Sequence, residues 1–98
     1  MNYTCLVCGF DKLVNPPYDE KGNESYDICS CCGFEYGVDD FNYGLVNAFE
    51  KYRRDWINKG TVWFYSSLQP VNWNLDKQLI NISTINPIYM PFYLRDKV

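Results

Sequence analysis

Four of the five cysteines form two copies of one short motif, C-x-x-C-G-F, at residues 5–10 and 29–34. The paired thiols are Cys5, Cys8, Cys29 and Cys32. Two intervening residues let the chain turn so that both sulfurs of a pair face one cation at about 2.3 Å. The glycine after each pair can adopt a positive φ, and its small size lets backbone N–H groups approach the sulfurs. We predict that these four thiolates bind one Zn²⁺ ion, and we call each motif a knuckle.

The spacing and flanks of the knuckles favour a metal site over other cysteine chemistry. Twenty residues separate Cys8 from Cys29, which lies at the upper end of the usual range for zinc sites of this type. Disulfides are disfavoured in a reducing compartment, and a redox-active pair is expected to stand at a strand-to-helix junction. Iron is the open alternative, because the paired C-x-x-C-G knuckles are similar to the iron site of rubredoxins. We favour zinc because nothing else in the chain indicates electron transfer.

The fifth cysteine, Cys31, lies inside the second knuckle. It cannot readily join the same tetrahedron as its neighbour Cys32, so we interpret it as a small side chain, partly buried near the metal. The alternative is a redox-sensitive thiol that oxidises or exchanges into the site.

The chain contains no histidine, which excludes Ser-His-Asp and Cys-His catalysis. A four-cysteine tetrahedron also leaves no open position at the metal for water, so the pattern is typical of a structural site. We therefore predict that the protein is not an enzyme, has no catalytic residue, and has no cofactor other than the metal.

Charge is unevenly distributed along the chain. The whole chain carries −3, but residues 1–40 contain eight acidic and two basic residues, a net charge of −6. Such a segment repels phosphate backbones, so we expect a protein partner rather than a nucleic acid. The alternative, a nucleic-acid-binding zinc ribbon, would use a basic and aromatic set, namely Lys51, Arg53, Arg54, Lys59, Trp63 and Tyr65.

Two short extended segments, 10–14 and 26–28, flank a charged loop rich in turn-forming residues. They predict an antiparallel β-hairpin that carries the knuckles at its base, as in a zinc ribbon. Asp39 and Asp40 follow the second knuckle, where we expect them to favour the positive end of a helix.

The clearest regular element is an amphipathic helix over 42–60 with Asn42 as its N-cap and Gly60 at its end. Its apolar stripe consists of Leu45, Phe49, Tyr52 and Trp56. A shorter second helix is predicted over 74–82. The apolar tail 83–98 contains Pro87 and Pro91, so we expect it to be extended and to wrap around the core. A homodimer interface formed by this tail is the alternative.

These elements predict a single α+β domain over 1–98. Its parts are a zinc-ribbon hairpin at 1–41 packed against the main helix at 42–60, followed by a short helix and tail at 61–98. The N-terminus has no secretory signal pattern, and no run of about 18 apolar residues is present, so we expect a cytoplasmic protein that does not enter membranes.

The second knuckle and its flanks resemble a family of small bacterial cysteine-rich proteins, the CPCC type. The resemblance rests on Tyr26-Asp27-Ile28-Cys29, on Cys31-Cys32-Gly33-Phe34 and on the following Asp39-Asp40. It covers roughly residues 3–65, with Leu6 and Ser30 standing where family members commonly have proline. It implies a zinc-binding ribbon of uncharacterised function. Some small acidic bacterial proteins of this kind are thought to serve as antitoxins or immunity proteins.

Overall fold

The computed structural model describes residues 2–95. It contains four α-helices within that range, which are α1 (Asp39–Asn42), α2 (Ala48–Asn58), α3 (Leu75–Leu79) and α4 (Phe92–Arg95). Short 3₁₀ helices lie between them, at Ser66–Leu68, Ile80–Thr84 and Pro87–Tyr89. None of the helices within the described residues is long and apolar enough to cross a membrane.

The predicted zinc-ribbon hairpin, and with it the α+β fold class, is wrong. No β-strand occurs in residues 2–95, where extended pairing is limited to isolated bridges joining Tyr3 to Leu13, Tyr18 to Glu24 and Ile28 to Glu35. The chain is mostly helix and irregular structure.

The two extended segments do not pair with each other. Each pairs instead with the residues on the other side of its own knuckle. Leu13 exchanges two backbone hydrogen bonds with Tyr3 across the first knuckle, at 2.8 and 3.0 Å. Ile28 lies opposite Glu35 across the second knuckle. Tyr26 has a φ of 60°, which interrupts the extended conformation that a hairpin strand needs. Each knuckle is therefore a closed loop with its own flanks paired.

Helix α2 begins later than the predicted start at residue 42. Asn42 is the last residue of α1, and Leu45 and Asn47 have φ values of 62° and 56°, so the chain turns before α2 starts at Ala48. The predicted apolar stripe is confirmed from Phe49 onward, because Phe49 and Trp56 are buried.

The core is built around the two knuckles and is strongly aromatic. Phe34 is fully buried and makes edge-to-face contacts with the rings of Tyr36, Phe49 and Tyr52, at centroid distances of 4.9, 5.6 and 5.0 Å. Such pairs stabilise a fold by about 0.5–1.5 kcal/mol beyond the area they bury. This cluster packs α2 against the second knuckle.

The C-terminal tail packs on the core, as predicted, through Ile85, Met90 and Leu94. Its predicted extended conformation is wrong, because Pro87 opens a 3₁₀ turn and Phe92 opens α4. Proline is accommodated at the first position of a helical turn, where its missing N–H would have no partner. The prediction for residues 96–98 lies outside the described part of the chain.

Candidate metal centre

The structure brings the four knuckle cysteines together. Their sulfur atoms all lie within 4.8 Å of one another, with 3.8 Å between the sulfurs of Cys5 and Cys32 and 3.7 Å between those of Cys8 and Cys29. A tetrahedron with bonds of about 2.3 Å has edges of about 3.8 Å. The four side chains are 0–5% exposed. This group could hold one metal ion.

The two knuckles have the same backbone turn. In each, the glycine N–H donates to the carbonyl of the first cysteine, at 3.0 Å for Gly9 and 2.9 Å for Gly33. Both glycines have left-handed backbones, with φ values of 83° and 81°. The first cysteine's N–H then donates to the carbonyl of the following phenylalanine, at 2.7 and 2.9 Å. The repeated C-x-x-C-G-F motif therefore encodes a repeated conformation.

Tyr36, which no sequence pattern indicated as a site residue, places its hydroxyl at the edge of the four-cysteine cluster. Its oxygen lies 2.9 Å from the Cys5 sulfur and accepts the Leu6 N–H at 3.0 Å. Burial raises the pKa of Tyr36 well above its usual value, so the hydroxyl stays protonated and can donate a hydrogen bond to a thiolate. Hydrogen bonds of this type orient metal ligands and adjust their basicity.

Helix α2 holds both knuckles by side chains from adjacent positions. Arg53 donates from Nε to the Val7 carbonyl and from Nη2 to the Leu6 carbonyl, the latter at 3.0 Å. Tyr52 donates its hydroxyl to the Cys32 carbonyl at 3.0 Å. Arg53 was expected in a basic set on the surface, but its side chain is directed inward to the first knuckle.

A second support comes from the C-terminal third of the chain. Gln78 of α3 donates from Nε2 to the Cys8 carbonyl at 3.0 Å and approaches the Cys31 sulfur at 3.4 Å. Its Oε1 accepts the Trp73 indole N–H at 2.7 Å, which fixes the orientation of the amide. Asn81 donates to the Gly9 carbonyl at 3.0 Å. These contacts dock α3 on the first knuckle.

Cys31 lies beside the cluster and outside the group of four sulfurs that could share one ion. It is fully buried, rather than partly buried as predicted, and its carbonyl accepts the Phe64 N–H at 2.9 Å. The interpretation of Cys31 as a small side chain packed near the metal group agrees with this position.

Burial raises the pKa of the Cys8 and Cys32 thiols, because a thiolate loses its hydration inside the core. A bound divalent cation reverses this preference, since a coordinating thiol is deprotonated outright. The donor set is four soft sulfurs, which suits zinc or iron.

The acidic pair after the second knuckle lies in the first turn of α1, at the positive end of a helix as predicted, and it also makes contacts that were not predicted. Asp40 is only 2% exposed, accepting the Tyr18 hydroxyl at 2.6 Å and the Gly37 N–H at 2.8 Å. Asp39 accepts the Glu35 N–H at 2.8 Å. Both carboxylates close the loop that follows the second knuckle, and burial together with Asp40 raises the pKa of Tyr18.

The residues predicted for a nucleic-acid interface do not form one surface. Trp63 is buried, and Arg53 is engaged with the first knuckle, whereas Tyr65 is 53% exposed. Stacking on bases requires exposed rings, so this arrangement does not favour the nucleic-acid alternative.

Two Bacillus subtilis proteins are similar to the chain. It is 38% identical to the uncharacterized protein YoaQ, over 61% of either chain, and 37% identical to the uncharacterized protein YozI, over 59% of either chain. The chain thus spans about three fifths of the length of these relatives. No protein-family model matches the chain, so the CPCC-type family is not confirmed. No solved structure matches it either.

Proposed function

We propose that the protein is a non-enzymatic zinc protein whose Cys₄ site is structural and whose surface binds another protein. The observation that carries the metal part is the pair of sulfur–sulfur distances, 3.7 and 3.8 Å, which match the edges of a zinc–thiolate tetrahedron. Zinc binding to such sites releases roughly 10–16 kcal/mol, a large share of the stability of a small domain.

The surroundings of the site support a structural role over a catalytic one. The four thiols are buried, and they use all the positions of a tetrahedral ion, so no position is left for water or substrate. The backbone carbonyls of Cys32 and Cys8 accept hydrogen bonds from Tyr52 of α2 and Gln78 of α3, so a bound metal would organise the packing of both helices.

The negative charge of the N-terminal segment is the basis for proposing a protein partner with a basic surface. Residues 1–40 carry −6, and four thiolates with one Zn²⁺ make this segment still more negative. A negative segment attracts basic protein surfaces and speeds association with them. An immunity or antitoxin protein, the role offered by the CPCC-type resemblance, would use such a surface to cover a basic toxin.

Metal analysis combined with chelation tests the metal part of the proposal. We expect one zinc per chain, a colourless protein, and loss of cooperative thermal unfolding after zinc removal. Cys29→Ala should lose the metal, whereas the matched control Cys31→Ala should retain it. A red protein with visible charge-transfer bands would exclude zinc, and an unchanged fold after chelation would contradict a structural role.

A further inference from the structure

A groove of about 500 Å³ lies between the two segments that were predicted to pair as a hairpin. We call residues 10–15 the first arm and residues 26–30 the second arm. The groove is lined by residues of 10–15 and 26–30 together with Tyr65. Its volume falls within the range of about 300–1,000 Å³ that is typical of ligand sites. One side-chain hydrogen bond, from Asn15 to Asp27 at 2.9 Å, links the two arms.

The first arm presents unpaired backbone groups to this groove. Leu13 uses both its N–H and its carbonyl to bond Tyr3. In an antiparallel pair, the N–H and carbonyl groups of the flanking residues point to the opposite side. Lys12 and Val14 therefore turn these groups away from Tyr3, and both residues line the groove. Within residues 2–95 their backbones make no hydrogen bond.

The second arm presents a similar edge. Ile28 and Glu35 form a non-hydrogen-bonded pair, because the bonds run from Cys29 to Phe34 and from Tyr36 to Asp27 on either side of it. The N–H and carbonyl of Ile28 consequently point away from Glu35 and find no partner in the described chain. Ile28 also lines the groove.

Apolar side chains accompany these backbone edges. Val14 is 79% exposed, Tyr26 60%, Tyr65 53% and Ile28 40%, and all four line the groove. An open backbone edge with apolar neighbours is the surface to which extended segments of other chains add as a strand.

Charge indicates which extended segment fits. The groove's own charges, on Lys12 and Asp27, are balanced, but both arms belong to the segment that carries −6. A basic segment is attracted to this field, whereas an acidic one is repelled.

We propose that this groove binds an extended basic peptide segment of a partner protein, which adds as a strand along Lys12–Val14 and packs its side chains on Tyr26, Ile28 and Tyr65. This inference rests on the proposed protein-binding function and gives it a site. It does not depend on the identity of the metal.

A random heptapeptide library displayed on phage, selected against the metal-loaded full chain, is the first test. The selected peptides should be rich in lysine and arginine, and the affinity of a synthetic copy should fall as salt is raised. Failure to select any peptide, or selection of acidic ones, would overturn the groove proposal. The metal part of the proposed function is judged separately, from metal content and folding, and would stand.

Groove variants locate the binding. Ile28→Ala and Tyr65→Ala should each reduce the affinity for the synthetic peptide by roughly tenfold. Val71→Ala, at a position that is 99% exposed and not among the groove residues, is the matched control and should leave affinity unchanged. Metal content and circular dichroism are measured for each variant, so that only folded protein is compared. Equal affinity in all three variants would place the peptide elsewhere, which contradicts the groove but not a protein-binding function.

Backbone methylation of the peptide tests the strand geometry. Methylating the peptide N–H groups that face Lys12–Val14 should abolish binding, whereas methylating the intervening N–H groups should have a much smaller effect. The sensitivity to methylation should therefore alternate from one peptide residue to the next. Uniform sensitivity, or none, would overturn strand addition.

Discussion

At the scale of single residues, the candidate centre depends on polar groups that meet the cysteines from distant parts of the chain. Tyr36 lies 31 positions from Cys5, whose sulfur its hydroxyl contacts, and Gln78 lies 70 positions from Cys8, whose carbonyl it binds. Each of these groups satisfies a buried atom next to the sulfurs. Buried polar atoms that lose their partners destabilise a protein by about 1–3 kcal/mol.

The Tyr36→Phe substitution tests this dependence. It removes the donor to the Cys5 sulfur and leaves the Leu6 N–H without its acceptor. We expect the free energy of unfolding to fall by about 1–3 kcal/mol and metal affinity to fall by about 10–100-fold, measured by urea unfolding and by competition with a chelator. Tyr65→Phe, at an exposed ring, is the control. Equal values for the two variants would show that the Tyr36 hydroxyl has no such role.

Local sequence patterns predicted the cysteine cluster but not its supports. The C-x-x-C-G-F repeat encodes the sulfur geometry within six residues, so the four cysteines could be identified without any knowledge of the fold. Tyr36, Arg53 and Gln78 act through contacts that span 30 to 70 positions, which no local pattern reports. The hairpin prediction was wrong for a related reason, since extended propensity in 10–14 does not specify which segment it pairs with.

At the scale of elements, α2 and α3 act as two clamps on the knuckles. From α2, Arg53 donates hydrogen bonds to carbonyls of the first knuckle, and Tyr52 donates one to a carbonyl of the second knuckle. On the other side, α3 approaches Gly9 so closely that a Cβ there would lie within 2.1 Å of the Gln78 carbonyl oxygen. Within the described residues, the four-cysteine cluster is therefore held by helices rather than by a sheet.

Comparing Gly9→Ala with Gly44→Ala separates this close approach from backbone strain. Both glycines have a similar left-handed φ, 83° and 84°, but a Cβ at Gly44 would meet no atom within 4 Å. Gly44→Ala should reduce the free energy of unfolding by about 1–2 kcal/mol, the cost of a left-handed residue. Gly9→Ala should reduce it by clearly more, because α3 must also move. Equal losses in urea unfolding would contradict the docking of α3 on the knuckle.

The Arg53→Ala substitution tests the clamp from α2. Two buried carbonyls lose a charged donor, so we expect a loss of about 1.5–3 kcal/mol in the free energy of unfolding. Arg54→Ala, one position along on the exposed face of α2, should change it by less than about 0.5 kcal/mol. If the two variants lose the same amount, Arg53 does not hold the first knuckle.

At the scale of the whole molecule, the core is an aromatic shell around the sulfur cluster, closed on one side by the C-terminal tail. Trp73 contacts the rings of both Trp56 and Trp63, at 6.2 and 5.6 Å, and Tyr89 packs on Tyr3 at 5.2 Å. Folding of the first and last thirds of the chain is thus coupled through the knuckles.

Alkaline pH should destabilise this shell. Burial raises the pKa values of Tyr18, Tyr36 and Tyr52, so these phenols stay protonated in the folded state at a pH where they ionise in the unfolded state. Their contribution is complete below the unfolded pKa of about 10 and is lost as pH rises above it. Urea unfolding at increasing pH should show the free energy of unfolding falling from about pH 10. Constant stability across this range would contradict the burial of these hydroxyls.

X-ray absorption spectroscopy at the zinc edge of the purified protein tests the central claim most directly. The tetrahedral sulfur geometry predicts four sulfur neighbours at about 2.3 Å and no nitrogen or oxygen ligand. Cys31→Ala should give the same spectrum, because Cys31 lies outside the group of four. A first shell that contains oxygen or nitrogen, or fewer than four sulfurs, would contradict a closed structural zinc site.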